Sequence, residues 1–549
     1  MLDDHRKPAK NLIALAAAAF LLANQSAVAA FGLTTTTSLY TVDTGAGLVF
    51  TVNRTNGNVA SIQYNGTELN SSTASHINSG IGSTGTTVTA SATSSTILIT
   101  VSTDSTNTVI PSSKHYYAVK TGVNNIYMAT YLGAATGNGE LRWITRLKSS
   151  VLTSFPAESD NTGTTYNVES SDIKGYADGH TTSKYYGNQQ AKDLTVRGDT
   201  GSSIGVFMAY GNRESSSGGP FFRDIQNQSS LDSTDGGAEI YNYLFSGHQQ
   251  TESARIGVLH GPYALVFTSG STPSVPDMSF LSSLDLTGYV ASADRGRVIL
   301  NGLKGRDTAY TYTVGFANTT AQYWTTASAS SGSAGCYNMK PGTYTMTVYK
   351  GELAVYTESV TVTAGSATTL NTRTITADPS SVTAIWRIGD WDGTPNELLN
   401  GQTFAVRHPS DTRNSSWVPG SYAAGSANNT FPAAIWQDTN NAQVVTFSLT
   451  DAQVAAHTVR IGITAAYGSG RPKIQINSWT SSIPSASTQP SSRSLTIGTY
   501  RGNNTTYTYS VPASALVSGT NTMTITISSG SSGSGYLSPC CGIDCLDFY

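Results

Sequence analysis

The sequence predicts an all-β fold made of stacked sheets. Two observations carry that reading. First, short β-branched or alternating runs recur along the chain: "GLVFTVNR", "VASIQY", "TILITVS", "HYYAVKT", "NIYMATYL" and "SIGVFMAYG". Gly, Asn, Ser and Thr clusters separate them, as turns separate strands. Second, stretches with the apolar period of an amphipathic helix are missing. Strands joined by polar turns bury their apolar faces by stacking sheet on sheet, as sandwiches and barrels do.

The elements follow in order. "HRKPAK" is basic, "NLIALAAAAFLLA" is an apolar run too short to span a bilayer, and "AVA" at Ala27–Ala29 is a small-residue cleavage site. Together they predict a secretory signal peptide over residues 1–29. No later run approaches the ~20 apolar residues of a transmembrane helix, so a soluble exported chain is expected. The 549 residues suffice for two to four domains at roughly 150 residues each. The first block, residues 30–286, is predicted as a large β-sandwich and carries the candidate chemistry. A break near "SSLDLTGYVASADRG" opens a second block, 287–376. There "MKPGTYTMTVYKGELAVYTESVTVTAG" reads as a three-stranded meander with Pro-Gly and Lys-Gly turns, which suits a fibronectin type III-like sandwich. After the short linker "TADPSS", "IWRIGDWDGTPNELLNG" opens a third block, 377–549. Its closing strands are "TYTYSVPASAL" and "NTMTITISSGSSG", with a Ser/Gly loop before the last cysteines. This block reads as a jelly roll, an architecture common among carbohydrate-binding modules.

Only 12% of residues are charged and the formal net charge is −3, which lacks the basic footprint of a nucleic-acid binder. Sequons stand at Asn53, Asn65, Asn70, Asn227, Asn318, Asn414, Asn428, Asn503 and Asn504, candidate glycan sites in an exported chain. The four cysteines are Cys336, Cys540, Cys541 and Cys545. In an oxidising compartment a structural disulfide among the last three is favoured over zinc, since "CCGIDC" has adjacent ligands and no nearby histidine. A structural calcium (Ca2+) is compatible with a carbohydrate-module sandwich, but no ligand set for one is legible.

Three constellations in the first block bear chemistry. "GELRWITRLKSS" puts Arg142 and Arg146 four apart on a strand, hence on one face. They either grip a carboxylate bidentately or are two solvated arginines. "GYADGHTTSKYYGNQQ" puts Lys184 beside Tyr185 and Tyr186. It is a surface lysine, or a base if burial and neighbouring cations lower its pKa. "EIYNYLFSGHQQTE" contains one of eight histidines. Alternation sets Tyr241, Tyr243 and Phe245 on one face and His248 on the other, with Asn242 and Leu244. Gly247 is where a bulge would re-aim the ring. His248 is then a hydrogen-bonded structural residue or a proton carrier, and the tyrosines are core or a sugar-stacking platform. HExxH and Walker motifs are absent. Composition does not exclude the carboxylate pair of a glycosidase.

On these residues the sequence is similar to a known family. "AFGLTTTTSLY", "GELRWITRL", "TTSKYYG", "SSSGGPFFRDI", "YNYLFSGHQQTE", "LHGPYALVF", "MKPGTYTM", "IGDWDG", "RHPSDTR", "GRPKIQINS" and "GTNTMTI" occur in order. They resemble fungal rhamnogalacturonan lyases of polysaccharide lyase family 4. The resemblance implies a catalytic β-sandwich, a fibronectin type III-like domain and a carbohydrate-binding-like jelly roll. It implies a secreted enzyme that cleaves the rhamnogalacturonan I backbone of pectin by β-elimination at the rhamnose-(1→4)-galacturonate bond, leaving a 4,5-unsaturated uronate. Residue by residue, it places the catalytic lysine on Lys184 and the catalytic histidine on His248. The carboxylate-binding arginine falls on Arg142, the second arginine of that strand on Arg146, and cleft tyrosines on Tyr241 and Tyr243. The resemblance implies that no cofactor is required for catalysis. The expected partner is the polysaccharide, with no nucleic acid or membrane, and a monomer is expected. Relatives carry cysteine pairs in the catalytic domain, whereas none lies between Ala30 and Leu286 here. A glycoside hydrolase and a non-catalytic binding protein for the same polymer are the alternatives.

The implied reaction suits these residue types. The C5 proton of a uronate is scarcely acidic, because a carboxylate is a poor electron sink. Preorganised positive charge makes the developing dianion tolerable, which arginines supply. A lysine base must be neutral, so its pKa has to fall by several units from about 10.4. Histidinium suits proton delivery to the leaving oxygen at mildly acidic pH. Lys184 is assigned as base and His248 as acid, with the exchanged roles left open.

Overall fold

The computed structural model describes residues 30–230, 237–248, 252–488 and 493–549. The predicted leader over residues 1–29 lies outside the described residues. The fold is all-β, as predicted. Among the described residues the α-helix, Ser494–Ile497, is a single turn.

The first unit is a sandwich. One layer is a seven-stranded sheet in the order Val196–Gly201, Ile204–Ala209, Val258–Thr268, Asn125–Leu132, Lys114–Lys120, Thr96–Thr103, Thr86–Ala92. Against it pack a five-stranded meander over Gly32–Glu68 and a four-stranded sheet. The four-stranded sheet runs Asn227–Ser230, Gly237–Phe245, Leu141–Lys148, His76–Ile77. All three sheets feed one core, in which Val42, Phe50, Ile99, Tyr117, Trp143, Leu147, Ile240 and Leu265 meet. Alternation along Leu141–Lys148 explains its placement. Leu141, Trp143 and Leu147 face the core, and the Trp143 indole N–H donates to Thr145 Oγ1 at 2.8 Å, so its polar atom is satisfied. Arg142, Ile144 and Arg146 face the other way.

The face assignment of His248 is corrected by a bulge. Leu141 pairs with Phe245 and Arg142 with Tyr243, so Leu244 is the extra residue. Leu244 sits in the main core and Phe245 packs against it, instead of joining the tyrosines. The flip in parity comes at Leu244, before Gly247, and delivers His248 to the tyrosine face.

The second unit packs a four-stranded sheet (Gln322–Thr326, Tyr312–Ala317, Gly342–Lys350, Leu353–Val362) on a three-stranded one (Ala334–Met339, Gly296–Leu300, Ala367–Leu370). The predicted three-strand meander is two long strands, because "LAVYTESVTV" runs unbroken. The linker is pinned: buried Lys350 Nζ donates to Asp378 at 3.1 Å and Ser380 at 2.9 Å.

The third unit is a pair of five-stranded sheets around one large core. Its final strand, Cys540–Phe548, was not among the predicted strands. It pairs with His457–Tyr467, Trp386–Gly389 and Ala434–Trp436 and is buried throughout. Burial on both faces erases the alternation that reveals a half-exposed strand.

The expected terminal disulfide is not formed, and two of the named sequons are buried. All four cysteines are free and buried. Cys540, Cys541 and Cys545 share one strand. Neighbours on a strand point to opposite faces, and residues four apart are separated by about 13 Å, well beyond disulfide reach. Among the sequons, Asn70 and Asn227 are each 2% exposed, so neither carries a glycan in the folded chain.

Candidate active site

The outward face of the Arg142 strand is the floor of a cleft. Register sets its neighbours: Arg142 lies opposite Tyr243, Ile144 opposite Tyr241, and Arg146 opposite Glu239. Directly opposed side chains touch. Arg142 donates to the Tyr243 hydroxyl, lies over its ring at 5.4 Å and pairs with Glu140 at 3.1 Å. Arg146 pairs with Glu239, which also accepts from the Tyr241 hydroxyl. Tyr241 and Tyr243 stack at 6.0 Å. Both tyrosines are buried, in a small apolar cluster with Ile144, Ile173, Tyr185, Tyr186, Ile225 and Ile497. That cluster forms the apolar part of the cleft floor and its flank.

Lys184 follows a short strand, Thr181–Ser183, in a three-stranded sheet with Tyr166–Glu169 and Ile173–Gly175. Its Nζ pairs with Asp172 at 3.0 Å and stands 5.5 Å from the Tyr185 ring centre. The His248 ring meets the same Tyr185 ring edge-on, with 5.5 Å between centroids. An amine and an imidazole therefore flank one aromatic ring.

Asp224 defines the state of His248. Both of its oxygens lie 3.1 Å from Nδ1, and it is 5% exposed. The Ile225 N–H donates to it at 2.7 Å, and the Ser246 hydroxyl donates as well. With Nδ1 committed, Nε2 is the nitrogen available to a substrate. Burial of the ring disfavours its charge, but the Asp224 carboxylate outweighs this and raises the His248 pKa above its usual value. On the adjoining strand, opposite Ile144, His76 behaves oppositely: burial, then Arg146, lower it to about 4, so it is neutral.

A cleft of about 530 Å³ is lined by Arg142, Arg146, Lys184, Tyr241, Tyr243 and His248 together, along with Glu140, Asp172, Lys174 and Glu239. All six predicted site residues thus converge on one groove.

Comparison with known proteins covers nearly the whole of the described chain. Residues 31–288 match the model for the N-terminal region of rhamnogalacturonan lyase B, 294–370 that for domain II of polysaccharide lyase family 4, and 384–548 that for its domain III. A rhamnogalacturonate lyase A from Aspergillus aculeatus is 44% identical over 534 residues, covering 96% of this chain and 97% of its own. A probable rhamnogalacturonate lyase A from Aspergillus terreus is 43% identical over 520 residues, covering 93% and 94%.

The chain belongs to polysaccharide lyase family 4.

Against that family frame, sequence reasoning missed Asp224, Asp172, Glu140, Glu239 and Lys174. Asp224 lies within "SSSGGPFFRDI", but nothing local in that stretch points to a histidine 24 positions on. Among the described residues no group of three or more His, Cys, Asp or Glu side chains is placed to hold a metal ion.

Proposed function

We infer that the chain is an exported pectin-degrading enzyme that cuts rhamnogalacturonan I by β-elimination. The observation that carries this reading is the convergence of two guanidinium groups, an amine and an imidazole on one cleft. The leader motif and the sequons support export.

The roles follow from the chemistry. Arg142 and Arg146 receive the galacturonate carboxylate and stabilise the charge that builds on it as the C5–H bond breaks. Lys184, once released from Asp172 and neutral, takes the C5 proton. The C5–H electron pair becomes the C4–C5 double bond, and the C4–O bond breaks. His248, held as imidazolium by Asp224, gives a proton through Nε2 to the departing glycosidic oxygen, which stays with rhamnose. Tyr241 and Tyr243 form the floor beneath the sugar. The chain acts as a monomer on this reading.

The test is direct. Incubation with rhamnogalacturonan should produce near-ultraviolet absorbance from the conjugated unsaturated uronate. Chain shortening without that band would mean hydrolysis, and retention without shortening would mean a binding protein.

A further inference from the structure

Lys184 follows a three-residue strand, Thr181–Ser183, which ends its small sheet and has one strand neighbour, Ile173–Gly175. So short an element fixes little by itself. The third unit supplies partners on both sides of the lysine. Before it, the Thr181 N–H and hydroxyl donate to Asp411 Oδ2 at 2.7 and 2.8 Å. The same hydroxyl accepts from the His408 N–H at 3.0 Å. Arg413 holds the Asp411 carboxylate through Nε at 2.8 Å and Nη2 at 2.6 Å. After it, the Tyr186 hydroxyl donates to the Thr496 carbonyl at 2.8 Å, and the Gly187 N–H to the Ala405 carbonyl at 2.6 Å. Thr181 is 5% exposed, Asp411 2% and Tyr186 1%, so water cannot replace these bonds. Glu169, on the far strand of the same sheet, accepts from Arg493 and meets His408 Nε2 at 3.3 Å. "RHPSDTR" thus supplies His408, Asp411 and Arg413 to a junction with the first unit.

We propose that the third unit is a positioning element for the Lys184 amine, with Asp411 acting through Thr181 and Thr496 acting through Tyr186. A module that only gripped polymer would need no buried bonds to the lysine segment. Misplacing a reacting group by 1 Å costs about 100-fold in rate, so small slippage of this segment should show in turnover. The inference rests on the reading of Lys184 as an acting group.

The full-length chain with Thr181→Val, Thr181→Ser or Tyr186→Phe tests it. Thr181→Val should lower kcat about tenfold or more and leave KM within about twofold. Thr181→Ser restores the hydroxyl and should restore kcat, which a loss of general stability would not explain. Tyr186→Phe should lower kcat in the same sense. An inactive wild-type chain would sink the functional reading. An active wild type with undiminished kcat in Thr181→Val would overturn this inference alone, as would raised KM at constant kcat. If Thr181→Val does not fold, Tyr186→Phe decides, and wild-type kcat there overturns the proposal.

Discussion

Replacing Asp224 with asparagine should move one limb of the pH–rate profile. Asparagine keeps the shape and an oxygen for His248 Nδ1–H but removes the charge. The carboxylate is 5% exposed and sits 3.1 Å from the ring nitrogen through both oxygens. A charge-assisted hydrogen bond of this kind contributes about 1.5–3 kcal/mol, or about one to two pH units. The sign follows from the raised pKa of His248: without Asp224 the ring loses its proton at lower pH. If His248 acts as imidazolium, the alkaline limb of kcat/KM shifts down by that amount. If it acts as the neutral base, the acidic limb shifts down instead, so one experiment also settles the division of roles. The assay is the ultraviolet rate between about pH 4 and 8, with a melting curve to confirm folding. A folded variant with neither limb displaced would refute the claim that Asp224 sets the protonation of His248.

Lys184→Ala and His248→Ala should each lower turnover by about 100- to 10,000-fold, the usual contribution of a general acid or base. Melting temperatures should change little, and near-normal turnover by either variant removes that residue from the mechanism. Arg142→Lys keeps the charge but loses the planar fork. We expect kcat to fall about 100-fold, and a change confined to KM would show that Arg142 binds without stabilising the transition state. Stability should peak near pH 6.5. Below it, burial holds His76 near 4, His115 near 3 and His260 near 4, so acid must charge rings that folding keeps neutral. Above it, burial and the neighbouring Asp392 push Glu397 up to about 8, so the stability present below its unfolded value is lost as pH rises through 8. At about 1.4 kcal/mol per pH unit, Glu397→Gln should flatten the alkaline limb of melting temperature against pH. A wild-type melting temperature that climbs steadily to pH 8 would contradict this.

Much of this molecule was legible because half-exposed strands carry a period of two. The Arg142 strand shows it plainly, and both guanidinium groups project where four-residue spacing puts them. The His248 strand shows where that logic stops. One extra residue at Leu244 reverses every later side chain, and no apolar pattern announces it. The strand Cys540–Phe548 escaped for the opposite reason, since burial on two faces leaves no contrast to read. Partners distant in sequence were invisible as well. Glu239 answers Arg146 across a strand pair, while Asp411 reaches Thr181 from another unit.

Those hidden partners share a purpose. Arg142 holds Glu140, Arg146 holds Glu239, Lys184 holds Asp172 and His248 holds Asp224. Half-buried ion pairs contribute little net stability, because desolvation offsets the attraction. Their value here is geometric. Each pair fixes a long, entropically costly side chain in a direction that faces the groove. On the proposed reading, a galacturonate carboxylate entering the cleft exchanges with a carboxylate already in place, so the guanidinium groups need little reorganisation when charge develops. Asp224 and Glu239 differ from the other two in being almost wholly buried. On the proposed reading, a carboxylate enclosed as Asp224 is keeps its charge beside the His248 ring when the galacturonate enters, whereas Glu140 and Asp172 give way to it.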